Sequence, residues 1–158
     1  MKLELKHIAP YLPYELKMKH YENNRIGILQ GVSTNTLGQP YSLCVNTNWC
    51  NYFVYKPILR PLSDLTKEIE VNGKKFVPID VIGEDFDLNI CDCDYVSDWS
   101  ERGDNFLDYV NEFIEQKHGN HHLNFLPFGF IQKLIEWHFD IFQLIPQKLA
   151  IDINTLNE

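Results

Sequence analysis

Tyr14-Glu15-Leu16-Lys17-Met18-Lys19-His20-Tyr21-Glu22-Asn23-Asn24-Arg25-Ile26-Gly27-Ile28-Leu29-Gln30-Gly31-Val32 is the stretch on which the fold turns. Its first half alternates Leu16, Met18 and His20 with Glu15, Lys17 and Lys19, the two-residue period of a half-buried strand. Glu22-Asn23-Asn24 supplies turn chemistry, because asparagine tolerates left-handed dihedrals. Residues 25–32 then predict the returning strand of a hairpin, with Ile26, Ile28 and Val32 on one face. An antiparallel hairpin is therefore the first unit of the fold.

Working outward, residues 34–40 have Ser/Thr/Asn/Gly/Pro loop character. Residues 41–45 and 52–55, rich in aromatic and β-branched types, predict further short strands. Ser63 is placed to cap a short helix reaching about Glu68, with Asp64 in the first turn to meet the helix dipole. Asn72-Gly73 is a two-residue hairpin signal. It predicts the pairs Val71 with Lys74, Glu70 with Lys75 and Ile69 with Phe76, one of them opposite in charge and one apolar. Pro78 argues for a sheet edge in the strand that follows. Phe86, Leu88 and Ile90 alternate with Asp85, Asp87 and Asn89, giving a strand with an acidic face.

From Asp104 the period lengthens. Phe106, Val110, Phe113 and Ile114 sit at helical spacing, ending with Lys117, His118 and Gly119. A second helix is predicted over residues 127–145. Its two apolar stripes are led by Phe128, Ile131 and Ile135, and by Phe130, Leu134 and Trp137. A helix apolar on so much of its circumference is either central to the fold or the seam of a homo-oligomer. Residues 150–153 predict a last short strand. The expected fold class is α+β: antiparallel β hairpins in a meander, followed by two C-terminal helices packed on the sheet, in a single globular domain over residues 1–158.

The chain has 158 residues, of which 44% are hydrophobic and 23% charged, an ordinary globular balance that excludes a disordered or collagen-like polypeptide. Its formal charge of −8 is unevenly spread. Residues 1–79 hold ten basic and six acidic side chains, whereas residues 80–115 hold twelve acids against Arg102 alone. Such an acidic segment either recognises a basic partner or forms a solvated face. Net negative charge argues against duplex nucleic acid as a partner. No stretch is long and apolar enough to predict a membrane span, and Met1-Lys2-Leu3-Glu4-Leu5-Lys6-His7 lacks the core of a signal peptide. Cytoplasmic location is the expectation, with Cys44, Cys50, Cys91 and Cys93 as reduced thiols.

Catalytic signatures are sparse. Asp85, Asp87 and Asn89 start like a calcium loop, but Ile90 and Val96 stand where glycine and a bidentate glutamate are needed. Cys91, Cys93, His118, His121 and His122 supply enough ligand types for zinc, at spacings unlike the common structural sites. The plainer reading makes the cysteines neighbours on one strand face, His118 a helix terminus, and His121 and His122 loop residues. No other cofactor is expected. His138 and Asp140, at i and i+2, point to different faces of a helix and make no ready dyad; His138 reads as a hydrogen-bonded core histidine. The strongest ligand-binding candidates are Trp49, Tyr52, Tyr55, Lys56 and Arg60, in a stretch that mixes aromatic faces, amides and two cations. Aromatic rings stack a base while Lys and Arg meet phosphate, the chemistry of a small nucleotide site. The alternative is a strand burying alternate aromatics beside an Asn-rich turn.

Four stretches carry a likeness to known sequences. They are Leu5-Lys6-His7-Ile8-Ala9-Pro10-Tyr11-Leu12-Pro13-Tyr14, then Lys56-Pro57-Ile58-Leu59-Arg60-Pro61-Leu62-Ser63-Asp64-Leu65, then Glu136-Trp137-His138-Phe139-Asp140-Ile141-Phe142 with the closing Leu149-Ala150-Ile151-Asp152-Ile153-Asn154. In these the chain resembles uncharacterised small proteins encoded by phages and prophages of Bacteroidetes-type bacteria. The acidic segment and the His118 to His122 region add nothing to the resemblance. It implies no catalytic residue. It does imply a viral accessory protein in the bacterial cytoplasm, of the kind that binds host factors or signalling nucleotides.

The expected function is thus a non-enzymatic, phage-type accessory binding protein that acts on a host protein or sequesters a small nucleotide, cyclic nucleotides included. A metal-dependent hydrolase built on the Cys/His cluster and an oligomeric assembly protein joined through the 127–145 helix are the alternatives.

Overall fold

The computed structural model describes residues 2–34, 40–85 and 127–156. They divide into two compact units, Met1–Pro61 with Leu134–Glu158, and Leu62–Lys133. The described part is α+β, with a six-stranded sheet in the first unit and a two-stranded one in the second.

The first unit opens on a short helix, α1 (Leu5–Ile8), capped reciprocally by Glu4 and His7. The Glu4 amide donates to His7 Nδ1 at 3.1 Å. A 3-10 helix, Ala9–Tyr14, follows and ends where Glu15 turns left-handed at φ 57°. Strand β1 (Lys17–His20) then pairs with β2 (Ile26–Ser33), matching Lys17 with Ile28, Met18 with Gly27 and Lys19 with Ile26. The predicted hairpin is present, and Leu16 and Met18 face the core.

Ile26 and Ile28 share a face of β2, and that face is the solvent side. Gly27 and Leu29 are buried, whereas Ile26 and Ile28 are 49% and 37% exposed. Gly27 occupies a core position because a Cβ there would lie 2.5 Å from Val45 Cγ1. A register shift between Leu29 and Gly31 then alters the parity before Val32.

Strand β3 (Ser42–Val45) continues the meander into β4 (Asn48–Asn51) through Asn46-Thr47, both at positive φ. That pair of dihedral signs is the type I′ hairpin turn. Residues 52–55 do not form the predicted strand. Tyr52–Val54 is a 3-10 helix, and β5 (Tyr55–Leu59) begins after it. Strand β5 returns to the other flank of β1, and β8 (Ile151–Asp152) joins β5 in parallel. The sheet order is β4-β3-β2-β1-β5-β8, so a mixed sheet replaces the purely antiparallel one expected.

The helix predicted over 127–145 is shorter: α3 spans Phe128–Glu136. His138 adopts φ 61°, its amide donates to Ile135 O at 3.0 Å, and the Phe139 amide donates to Leu134 O at 2.8 Å. This pair of bonds is a Schellman termination, with histidine in the position that glycine usually fills. Tertiary bonds hold the chain beyond it. Arg60 N donates to His138 O and Asp140 N donates to Arg60 O, both at 2.8 Å. Tyr11 Oη, fully buried, donates to Phe139 O at 2.6 Å. Phe139, Ile141 and Leu144 are consequently buried without being helical. The continuous apolar helix that motivated an oligomeric seam at 127–145 therefore does not form.

In the second unit, a 3-10 turn, Leu62–Asp64, replaces the short helix expected from Ser63 to Glu68. Asp64, 3% exposed, meets Lys67 Nζ at 2.7 Å. Strands β6 (Ile69–Val71) and β7 (Lys74–Phe76) pair in the register predicted from Asn72-Gly73. Pro78 does not mark a sheet edge. It opens helix α2 (Pro78–Asp85), where its missing N–H costs nothing in the first turn. The predicted strand at 86–90, the helix from Asp104, and Cys91, Cys93, His118, His121 and His122 lie outside the described residues.

Candidate functional site

The five residues proposed for a ligand site all lie in the first unit. Trp49 lies on β4, 60% exposed, with its ring edge 3.7 Å from where a Cβ on Gly31 would stand. Lys56 lies on β5 opposite Lys19. Four strand intervals separate β4 from β5 in the sheet order, whereas the chain joins their ends through Tyr52–Val54 alone. Tyr55 packs edge-on against His20, ring centroids 5.0 Å apart. Lys56 Nζ donates to Lys148 O at 2.8 Å, and the Arg60 backbone is bonded to His138 and Asp140.

Tyr52 is brought to a groove whose other walls the sequence did not suggest. Lys2, Leu3, Glu4, Leu5, Pro40 and Tyr41 line it with Tyr52, around a cavity of about 310 Å³. Two local features build it. The 3-10 turn after β4 lifts the Tyr52 ring to 4.7 Å from that of Tyr41, tilted by 37°. Tyr41 Oη donates to Leu3 O at 2.9 Å, which ties the extended residues before α1 to the start of β3. Tyr41 is 2% exposed, and burial, then Tyr52, raises its hydroxyl pKa far above the ordinary range, so it stays a neutral donor.

Charge at the groove mouth is mixed. Glu4 pairs with Lys6 at 2.8 Å, and the Lys6 hydrogen bond and charge hold its carboxyl below the ordinary value. Lys2 is exposed and adds an ammonium to the lining. The arrangement offers the half-buried Tyr52 ring backed by the buried Tyr41, the apolar side chains of Leu3, Leu5 and Pro40, and the Lys2 ammonium. Its described lining residues include no nucleophile–base pair.

His138 and Asp140 are committed to structure. His138 Nε2 donates to Tyr14 O at 2.6 Å, and burial holds the imidazole below its ordinary pKa. Asp140 Oδ1 and Oδ2 accept from the Leu144 and Ile145 amides at 2.8 and 2.7 Å. Burial raises its pKa even though both amide bonds oppose the shift. Both side chains serve to hold backbone groups of the fold in place.

Among the described residues, no three His, Cys, Asp or Glu side chains gather around a common point where a metal ion would fit, and Cys44 and Cys50 are free, half-buried thiols. Among the same residues no helix is long and apolar enough to cross a membrane. Comparison with known proteins finds no matching family model, curated protein or solved structure.

Proposed function

We propose that the protein is a non-enzymatic accessory binding protein that takes a small, planar, negatively charged ligand of the nucleotide class in the groove walled by Tyr41 and Tyr52. The observation that carries this reading is the tyrosine pair, 4.7 Å apart, in a cavity of about 310 Å³. That volume lies at the lower end for small-molecule sites, which are mostly apolar with a few polar groups. A purine or pyrimidine ring stacks on tyrosine, and the Lys2 ammonium is placed to meet a phosphate. Of the residues proposed from sequence, Tyr52 keeps its role. Phage origin and the cytoplasm of a bacterial host belong to the same proposal, resting on the sequence resemblance.

Thermal denaturation with nucleoside monophosphates and cyclic nucleotides tests it. A bound ligand raises Tm with its concentration, and Tyr52→Ala abolishes the rise. No rise with any of these compounds contradicts the proposal.

A second reading, binding to a host protein, is favoured by the solvent-facing side of the sheet. Exposed Ile26 and Ile28 lie beside Lys17, Lys19 and Lys56 on β1 and β5. Apolar side chains among cations suit an acidic protein surface. Ile28→Glu would abolish such binding while leaving the nucleotide response intact.

A further inference from the structure

The two edges of the six-stranded sheet are unlike each other. One is β8, only two residues long and carrying Asp152, the short and charged edge that resists further pairing. The other is β4, Asn48–Asn51, which has no charge, no proline and no bulge. It ends the sheet among the described strands.

The register says which backbone groups this edge presents. Asn46-Thr47 closes a two-residue hairpin, so the flanking pair Val45 and Asn48 exchanges hydrogen bonds, as does Leu43 with Cys50. Trp49 and Asn51 alternate with these positions, and their N–H and C=O groups point away from β3. Trp49 is 60% exposed, and Phe53, two residues past the strand, is 53% exposed.

We infer that β4 is a self-pairing edge, which binds β4 of a second copy of this chain antiparallel about a two-fold axis through Cys50. In that register Trp49 exchanges both backbone bonds with Asn51 of the other copy, and Asn51 with Trp49. Each outward-facing group of the strand is thereby satisfied. Cys50 faces Cys50 in the non-hydrogen-bonded position on the axis. The two Trp49 positions lie diagonally across the seam on one face, each ring leaning inward over β3 so that its edge reaches Gly31 of β2.

A second copy fits better than an unrelated strand because the edge is complementary to itself about Cys50. It also carries no charge to repel its twin or to select a charged peptide. A four-residue seam is much smaller than a standard interface, so the dimer is weak and forms at high protein concentration.

Sedimentation equilibrium over a wide concentration range, with Asn51→Pro as the variant, tests the inference. Asn51 already has φ −67°, so proline fits its backbone, and the N–H it removes points away from β3. The wild-type chain doubles its mass with concentration; Asn51→Pro stays monomeric with an unchanged circular dichroism spectrum and Tm. A variant retaining Cys50 alone forms a covalent dimer with diamide, which takes up the two thiol hydrogens, whereas one retaining Cys44 alone does not. A wild-type monomer at every concentration, a dimer that survives Asn51→Pro, or cross-linking through Cys44 instead of Cys50 overturns the inference.

Discussion

His138 Nε2 donates to the carbonyl oxygen of Tyr14 across 2.6 Å, joining residues 124 positions apart in the chain. The same residue stops α3 by turning left-handed at φ 61°, and its own carbonyl accepts from Arg60 N. One side chain and its backbone thus hold the 3-10 helix after α1, the end of β5 and the segment after α3 together.

This clasp makes stability depend on pH. Burial holds the His138 imidazole below its ordinary value, and burial does the same for His7. The unfolded chain therefore binds more protons than the folded one in the window beneath the ordinary histidine pKa of about 6.5. Stability is full above that window and falls as the pH drops through it. Asp140, raised by burial, contributes in the opposite sense above the ordinary carboxylate range. His138→Asn keeps a residue that tolerates left-handed φ but removes the bond to Tyr14. It should cost about 1–2 kcal/mol at neutral pH and make the acid loss shallower. Urea denaturation in neutral and mildly acidic buffer measures both; an unchanged pH slope in the variant contradicts the assignment to His138.

Gly27→Ala should destabilise the β1–β2–β3 region. The added Cβ would stand 2.5 Å from Val45 Cγ1 and 2.8 Å from Asn46 Nδ2. The Asn46 side chain is held in place, because its Oδ1 accepts from the Ile28 amide at 2.8 Å. Overpacking of this kind costs about 1–3 kcal/mol. A wild-type Tm would show that the strands part freely at this point.

Gly73→Ala acts through backbone conformation alone. Gly73 sits at φ 77° with nothing within 4 Å of where a Cβ would stand, so no clash contributes. The left-handed conformation costs an L-residue about 1–2 kcal/mol. Amide exchange should quicken in β6 and β7 and stay unchanged in β1, β2 and β3. Equal acceleration in both sets would contradict a local effect.

Local chemistry was legible in the sequence and non-local geometry was not. The Asn72-Gly73 register could be read because positive φ at both turn residues selects a two-residue hairpin whatever surrounds it. The face of β2 could not. Its core positions are filled by Gly27, which carries no hydrophobic signal, and Leu29, while the more conspicuous isoleucines face solvent. The apolar period past Glu136 is real, since Phe139, Ile141 and Leu144 are buried. Bonds to Arg60 and Tyr11 hold those residues in another backbone, and such partners leave no mark in a local window.

The groove illustrates the same limit. Tyr52 was identifiable from its composition, but Leu3 and Tyr41 reach it only through a hydrogen bond spanning 38 positions. Aromatic and cationic side chains crowded into one sequence stretch suggested a shared site. The structure sets Trp49 on β4, Tyr52 in the 3-10 turn that follows, and Tyr55 and Lys56 on β5, each with its own neighbours.

The Tyr41–Tyr52 groove is the proposed seat of a nucleotide-class ligand. The most direct test of that assignment is a titration of the isotope-labelled protein with adenosine monophosphate and its cyclic form, following backbone amide chemical shifts. Saturable shifts concentrated at Leu3, Glu4, Leu5, Tyr41 and Tyr52 are expected, and they disappear in Tyr52→Ala. Saturable shifts centred on Tyr55 and Lys56, or no saturable shift anywhere, would contradict it.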